Sequence, residues 1–236
     1  MEQRKEEKVK ILGVDVDPIR VDRAIHRTNH YLEENKFEYI AFVNTADALA
    51  GQNDEEFVAF MDQAAMVLPG DHNIEEAVGN RHWIEEETSY QAEFFRRFLG
   101  RLNRQRAGVY LMMEKEEELT RLTKLFATKY EKIRLGTVLW QDDENVDSMV
   151  NDINILAPEM LLICGNYGRI RSFLTEHGNK INTGVCFCMD TLMTDEEPEY
   201  PAWDKELHLQ KVYLWLYKKP TKLIHDIIFK NKMKKI

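Results

Sequence analysis

The chain has 236 residues, of which 44% are hydrophobic and 31% charged, and its formal net charge is −9. This length and balance predict a globular protein with an ample core and exclude a small fold that needs staples. No segment approaches the roughly 20 apolar residues of a spanning helix, and the charged start MEQRKEEKVK lacks a long apolar run, so the sequence predicts neither an integral membrane protein nor a secreted one.

In chain order, VKILGVDVD (residues 9–17) alternates as a strand does, and Pro18 opens a helical pattern through Ile19, Ala24, Ile25, Tyr31 and Leu32. Residues 39–43 form the next strand. Asn53 or Asp54 caps a helix carrying Phe57, Phe60, Met61 and Ala64, and residues 66–68 make a short strand stopped by Pro69-Gly70. Residues 84–106 read as a helix with Phe94, Phe95, Phe98 and Leu99 on one side. A strand over 108–113, a helix over 116–130 and a strand over 133–140 follow, then a helix over 143–156. The apolar run 160–164 is a strand covered on both faces, residues 170–176 are helical, and 183–189 is a last strand. Strands alternating with helices predict an α/β fold: a Rossmann-like parallel sheet with helices on both faces over residues 8–200, followed by a basic appendage over 201–236.

Three cysteines, Cys164, Cys186 and Cys188, lie in buried-strand segments without zinc-site spacing, and read as reduced core thiols of a cytoplasmic protein. No pair among the seven histidines has metal spacing on one helical face, so no metal is expected; no Gly-x-Gly-x-x-Gly follows the first strand, which sets hydride transfer aside.

Ligands in open α/β sheets bind where strands end at their carboxyl side. Two runs end there in small and polar residues: Asn44-Thr45-Ala46-Asp47 and Gly70-Asp71-His72-Asn73. Both clusters can face one pocket. Each also has a plainer reading: Asp71 can cap a helix beginning near Ile74, and Asn44-Thr45 can cap the helix through Ala48 and Leu49.

The order ILGVDVDPIRVDRAI, FVNTADAL, AAMVLPGD, a strand–helix–strand unit, LLICGNYGRIRSFLTEH and an aromatic, basic C-terminus resembles the WecG/TagA/CpsF glycosyltransferases over nearly the whole chain. The resemblance implies an inverting, metal-independent enzyme with no cofactor. Such an enzyme moves an N-acetylmannosamine-type or related sugar from a UDP donor to a polyprenyl-diphosphate-linked glycan, in bacterial surface polysaccharide or teichoic acid synthesis. Asn44 matches the asparagine of the family's Thr-x-Asn, with Phe42 at the threonine position and Thr45 just after. Where the family shows Pro-Asp-Gly with the aspartate as base, this chain reads Pro69-Gly70-Asp71. The family's small residues after the middle strand become Leu111-Met112-Met113-Glu114. Its Gly-Ser-Pro-x-Gln-Glu becomes Gly165-Asn166-Tyr167-Gly168-Arg169-Ile170.

Inverting transfer needs a base for the acceptor hydroxyl and donors that stabilise departing UDP. Asp71 is the expected base with His72 as its rival; Arg169 and lysines of the tail are expected at the diphosphate, beside Gly165 and Asn166. Asn44, Thr45 and Asn73 are available to sugar hydroxyls or an acetamido group. The departures from the family also fit a second reading, a catalytically silent relative that binds a nucleotide-sugar or lipid-linked glycan, or partners a pathway enzyme.

From residue 211 to 236, eight lysines and one acid, Asp226, give +7, which against the whole-chain −9 leaves −16 for residues 1–210. The acidic body argues against nucleic-acid binding, while the tail suits an anionic membrane surface. Leu223, Ile224, Ile227 and Ile228 fall on one helical stripe, downstream of Tyr213, Trp215 and Tyr217. The expected place is therefore peripheral, at the inner face of the cell membrane; the plainer alternative is a helix packed on the core with its lysines solvated.

Overall fold

The computed structural model describes residues 7–34, 37–79, 88–141, 145–192 and 226–233. Six parallel strands form one sheet in the order β4-β3-β8-β7-β5-β6. They are β3 (Tyr39–Val43), β4 (Met66–Pro69), β5 (Gly108–Met113), β6 (Arg134–Leu139), β7 (Met160–Cys164) and β8 (Val185–Met189). The expected α/β architecture is observed.

The period of two along each strand builds both faces of the core. Ala41, Val43, Val67, Tyr110, Met112, Leu161, Ile163, Cys186 and Cys188 point to one side, against α3 (Glu55–Gln63), α7 (Val146–Leu156) and α8 (Tyr167–His177). Ile40, Phe42, Leu68, Val109, Leu111, Leu162 and Phe187 point to the other, against α1 (Val21–Glu34), α5 (Tyr90–Gln105) and α6 (Glu116–Lys129). Phe94, Phe95 and Phe98 of α5 meet Phe42 and Phe187 at ring-centroid separations of 5.2 to 5.6 Å, a geometry that adds to simple burial. All three cysteines are free and buried, and burial pushes the Cys164 and Cys188 thiols well up. They behave as small apolar groups.

Two expectations need correction. The alternation over 9–17 is not one strand but an antiparallel hairpin, β1 (Val9–Ile11) and β2 (Val14–Val16), because Leu12 and Gly13 take left-handed backbone angles and turn the chain back. The hairpin stands apart from the main sheet and still protects it: Asp17 Oδ2 accepts from the Val67 N–H at 2.9 Å, and Val67 O accepts from the Asp17 N–H at 2.8 Å. These bonds occupy part of the open edge of β4. The helix expected over 84–106 is described from Tyr90, where Ser89 caps it, and its first residues fall outside the described ones.

A last helix, α9 (226–233), lies against the body. Phe229 is 3% exposed within the core cluster, and Lys232 Nζ donates to Gln52 Oε1 at 2.8 Å. Ile227 and Ile228 are exposed. Leu223, Ile224, Tyr213, Trp215 and Tyr217 of the expected amphipathic segment lie outside the described residues. Among the described residues no helix is long and apolar enough to cross a membrane.

Candidate active site

Every strand of the sheet runs the same way, so the loops after β3, β4, β5, β7 and β8 open along one carboxyl edge. There the structure joins the two expected clusters. Asn44 caps α2 (Thr45–Gly51) in a reciprocal box: its Oδ1 accepts from the Asp47 N–H at 2.9 Å, and Asp47 Oδ2 accepts from the Asn44 N–H at 3.2 Å. Asp71 caps α4 (His72–Val78), accepting from the Ile74 N–H at 3.1 Å through Oδ1. Its Oδ2 accepts from the Thr45 N–H at 2.7 Å. One carboxylate thus holds the first turns of two helices, and the capping role read from the sequence is realised at both.

Asn73 completes this cluster. Its Nδ2 donates to Thr45 Oγ1 at 3.2 Å and to Asp226 Oδ1 of α9 at 2.6 Å. The tail helix therefore reaches a residue expected to hold sugar, and a cleft of about 350 Å³ lies beside that contact, lined by Asn73, Glu76, Ala77, Phe229, Lys230 and Met233. His72 is exposed, and its Nδ1 lies 2.9 Å from Oε2 of the buried Glu75.

Gly165, Asn166 and Arg169 form a second group two strands away, at the turn from β7 into α8. Glu114, just past β5, lies across this turn: its Oε2 accepts from the Asn166 N–H at 2.9 Å, and its Oε1 is 3.4 Å from Arg169 Nη1. A Cβ at Gly165 would meet the Glu114 side chain (Cγ, Cδ and Oε2) at 2.5 to 2.8 Å, so glycine is what lets that side chain pass. Arg169 also donates to Trp140 O at 2.8 Å and stacks 4.1 Å over the Trp140 ring. Its expected partner was a phosphate; in the structure it serves a carboxylate, a carbonyl and an indole. From Trp140 and Arg169 a cleft of about 280 Å³ follows α8 down to Ser172 and His177.

Between the groups, Asp190 follows β8 and pairs with Lys115 at 3.7 Å. Burial pushes the Asp47 carboxyl from 3.8 up to about 7; the Asn44 N–H opposes the rise, and the charges of Asp190 and Asp71 add to it. The native state therefore binds this proton more tightly than the unfolded chain. The stability so gained is full below about pH 4 and is lost as pH rises through about 7. Asp47→Asn keeps an amide oxygen for the Asn44 N–H, so its stability relative to wild type should rise steadily between pH 4 and 8 when read from urea midpoints. A difference that stays constant over that range would contradict the assignment.

Sequence reasoning missed Asp47 as a titrating group, Asp190, and the buried Glu75. Signals for two of them existed: Asp190 directly follows the last strand, and Glu75 interrupts the apolar stripe of Ile74 and Val78. Among the described residues no group of three or more His, Cys, Asp or Glu side chains is arranged to hold a metal ion.

A sequence model of the Glycosyl transferase WecG/TagA/CpsF family matches residues 9–232. No curated protein matches the chain.

Proposed function

The chain belongs to the WecG/TagA/CpsF family of glycosyl transferases, and from that premise we propose an inverting, metal-independent transfer of an N-acetylmannosamine-type or related sugar. The donor is a UDP-sugar and the acceptor a polyprenyl-diphosphate-linked glycan, in the synthesis of bacterial surface polysaccharide or teichoic acid. The observation that carries this reading is the meeting of Asn44, Thr45, Asp71 and Asn73 at one carboxyl edge in a chain of this family. Amide and hydroxyl groups fixed by helix caps suit hydroxyl and acetamido recognition, since their orientation is set before the ligand arrives.

The acceptor lies at a membrane, and the tail brings the enzyme to it. Ile227 and Ile228 are exposed on α9, on a segment whose eight lysines and one acid give a net +7 over residues 211–236. About 1 kcal/mol for each lysine near an anionic leaflet gives reversible attachment. Lysines of that tail, with Arg169, supply positive charge to the departing diphosphate.

The test is transfer itself. The full chain is incubated in EDTA with UDP-N-acetylhexosamines and a panel of polyprenyl-diphosphate-linked sugars, and the lipid product is weighed by mass spectrometry. A product heavier by one sugar residue supports the reading, and an unchanged acceptor with every donor overturns it. One observation favours the second reading, a silent relative. Glu114 already sits on the Asn166 N–H and beside Arg169, the donors an anionic ligand would use.

A further inference from the structure

We infer that His72 is the general base of this site and that Glu75 is the positioning residue that holds its ring. The assignment rests on the transferase reading and changes which side chain moves the proton.

Asp71, the base expected from the family's aspartate, is committed elsewhere. Each of its oxygens accepts a backbone N–H, from Thr45 at 2.7 Å and from Ile74 at 3.1 Å, and turning the carboxylate toward an acceptor would release two helix starts.

The next residue is free of that duty. His72 opens α4 with its side chain 60% exposed, and its Nδ1 lies 2.9 Å from Glu75 Oε2, one helical turn on. Glu75 is 2% exposed and is fixed from its other side, where Oε1 accepts from the Tyr90 N–H at 2.5 Å, at the start of α5. An ionised carboxylate only accepts, so Nδ1 carries the ring hydrogen and Nε2 carries the lone pair. That tautomer is the one a base needs. A buried acid orienting an exposed imidazole is the arrangement by which nucleophile–base pairs are recognised on unrelated folds. The adjoining Asn73 belongs to the group with Thr45 and Asp226, so His72 and that group's amide open the same helix, α4, at the carboxyl edge of the sheet.

In the step, the acceptor hydroxyl oxygen bonds to the anomeric carbon while the bond from that carbon to the β-phosphate oxygen breaks. The bonding pair leaves on UDP. The hydroxyl proton passes to His72 Nε2, the resulting imidazolium is held by Glu75 through Nδ1–H, and the proton is later released to water.

The experiment compares wild type, His72→Ala and Glu75→Gln in the transfer assay above, using the donor that wild type turns over. His72→Ala should lower kcat at least 100-fold, keep the donor KM within about threefold, and regain part of the rate when imidazole is added. Glu75→Gln should lower kcat about tenfold or more, again with little change in KM. Because His72 is exposed, its alanine variant should melt within a few degrees of wild type, so the test stands even where Glu75→Gln fails to fold. A His72→Ala rate within threefold of wild type, or a loss that imidazole does not restore, overturns the base assignment while leaving the transferase reading intact. No turnover by wild type on any donor overturns both.

Discussion

Asp71→Ala should cost about 3 kcal/mol of unfolding free energy and lower the melting temperature by roughly 6–12 °C, far more than an ordinary loop substitution. Loss of the cap on α4 accounts for about 1 kcal/mol of this. Loss of the charge-assisted bond to the Thr45 N–H, beside a Thr45 that is 3% exposed, accounts for about 1.5–3 more. Restoring the Pro-Asp-Gly order of the family by the double change Gly70→Asp and Asp71→Gly should not repair this. A Cβ at position 70 would lie 3.0 Å from the carbonyl carbon and oxygen of Val43 and 3.1 Å from the Asn44 nitrogen. Those atoms belong to β3 and to the cap of α2, which cannot give way without moving the sheet edge. The inversion is thus consistent with this backbone: glycine stands where β4 crowds β3, and the acid follows where it can reach both helices. Thermal melts of the two variants check the order. An Asp71→Ala melting point within 2 °C of wild type would mean the two backbone bonds contribute little.

Glu114→Gln should raise affinity for UDP about tenfold, equivalent to about 1.4 kcal/mol. The carboxylate of Glu114 lies at the N-terminus of α8, where backbone donors and the helix dipole favour an anion. It also neutralises Arg169 at 3.4 Å. A diphosphate entering there must displace this internal anion or tolerate its repulsion. Glutamine keeps an oxygen for the Asn166 N–H, removes the charge, and leaves Arg169 able to turn to phosphate. Calorimetric titration of the two proteins with UDP measures the ratio, and an affinity equal to or weaker than wild type would show that the nucleotide does not approach the β7–α8 turn.

Most of the fold was legible because its signals are local and periodic. The continuous apolar run at 160–164 read as a strand buried on both faces and 183–189 as the last strand, which the structure places at Val185–Met189, and the phenylalanines of α5 marked the helix that covers Phe42 and Phe187. The hairpin at Leu12-Gly13 was not legible, since apolar alternation continues across it and only backbone angles reveal the turn. In the site, the strand ends placed Asn44, Thr45, Asp71 and Asn73 together because parallel strands bring their carboxyl ends to one edge. Contacts set by tertiary packing were beyond reach. Asp226 meets Asn73 across 153 residues, and Glu114 meets Asn166 across 52; no local pattern encodes either. Arg169 shows the same limit, because its partners Trp140 and Glu114 come from two other strand ends.

The nucleotide requirement is the most direct test of the central claim. The purified full chain should be titrated calorimetrically with UDP and a small panel of UDP-N-acetylhexosamines in EDTA, with and without anionic liposomes. The account predicts that UDP and one sugar nucleotide bind without metal. Absence of binding at millimolar UDP under both conditions would contradict it.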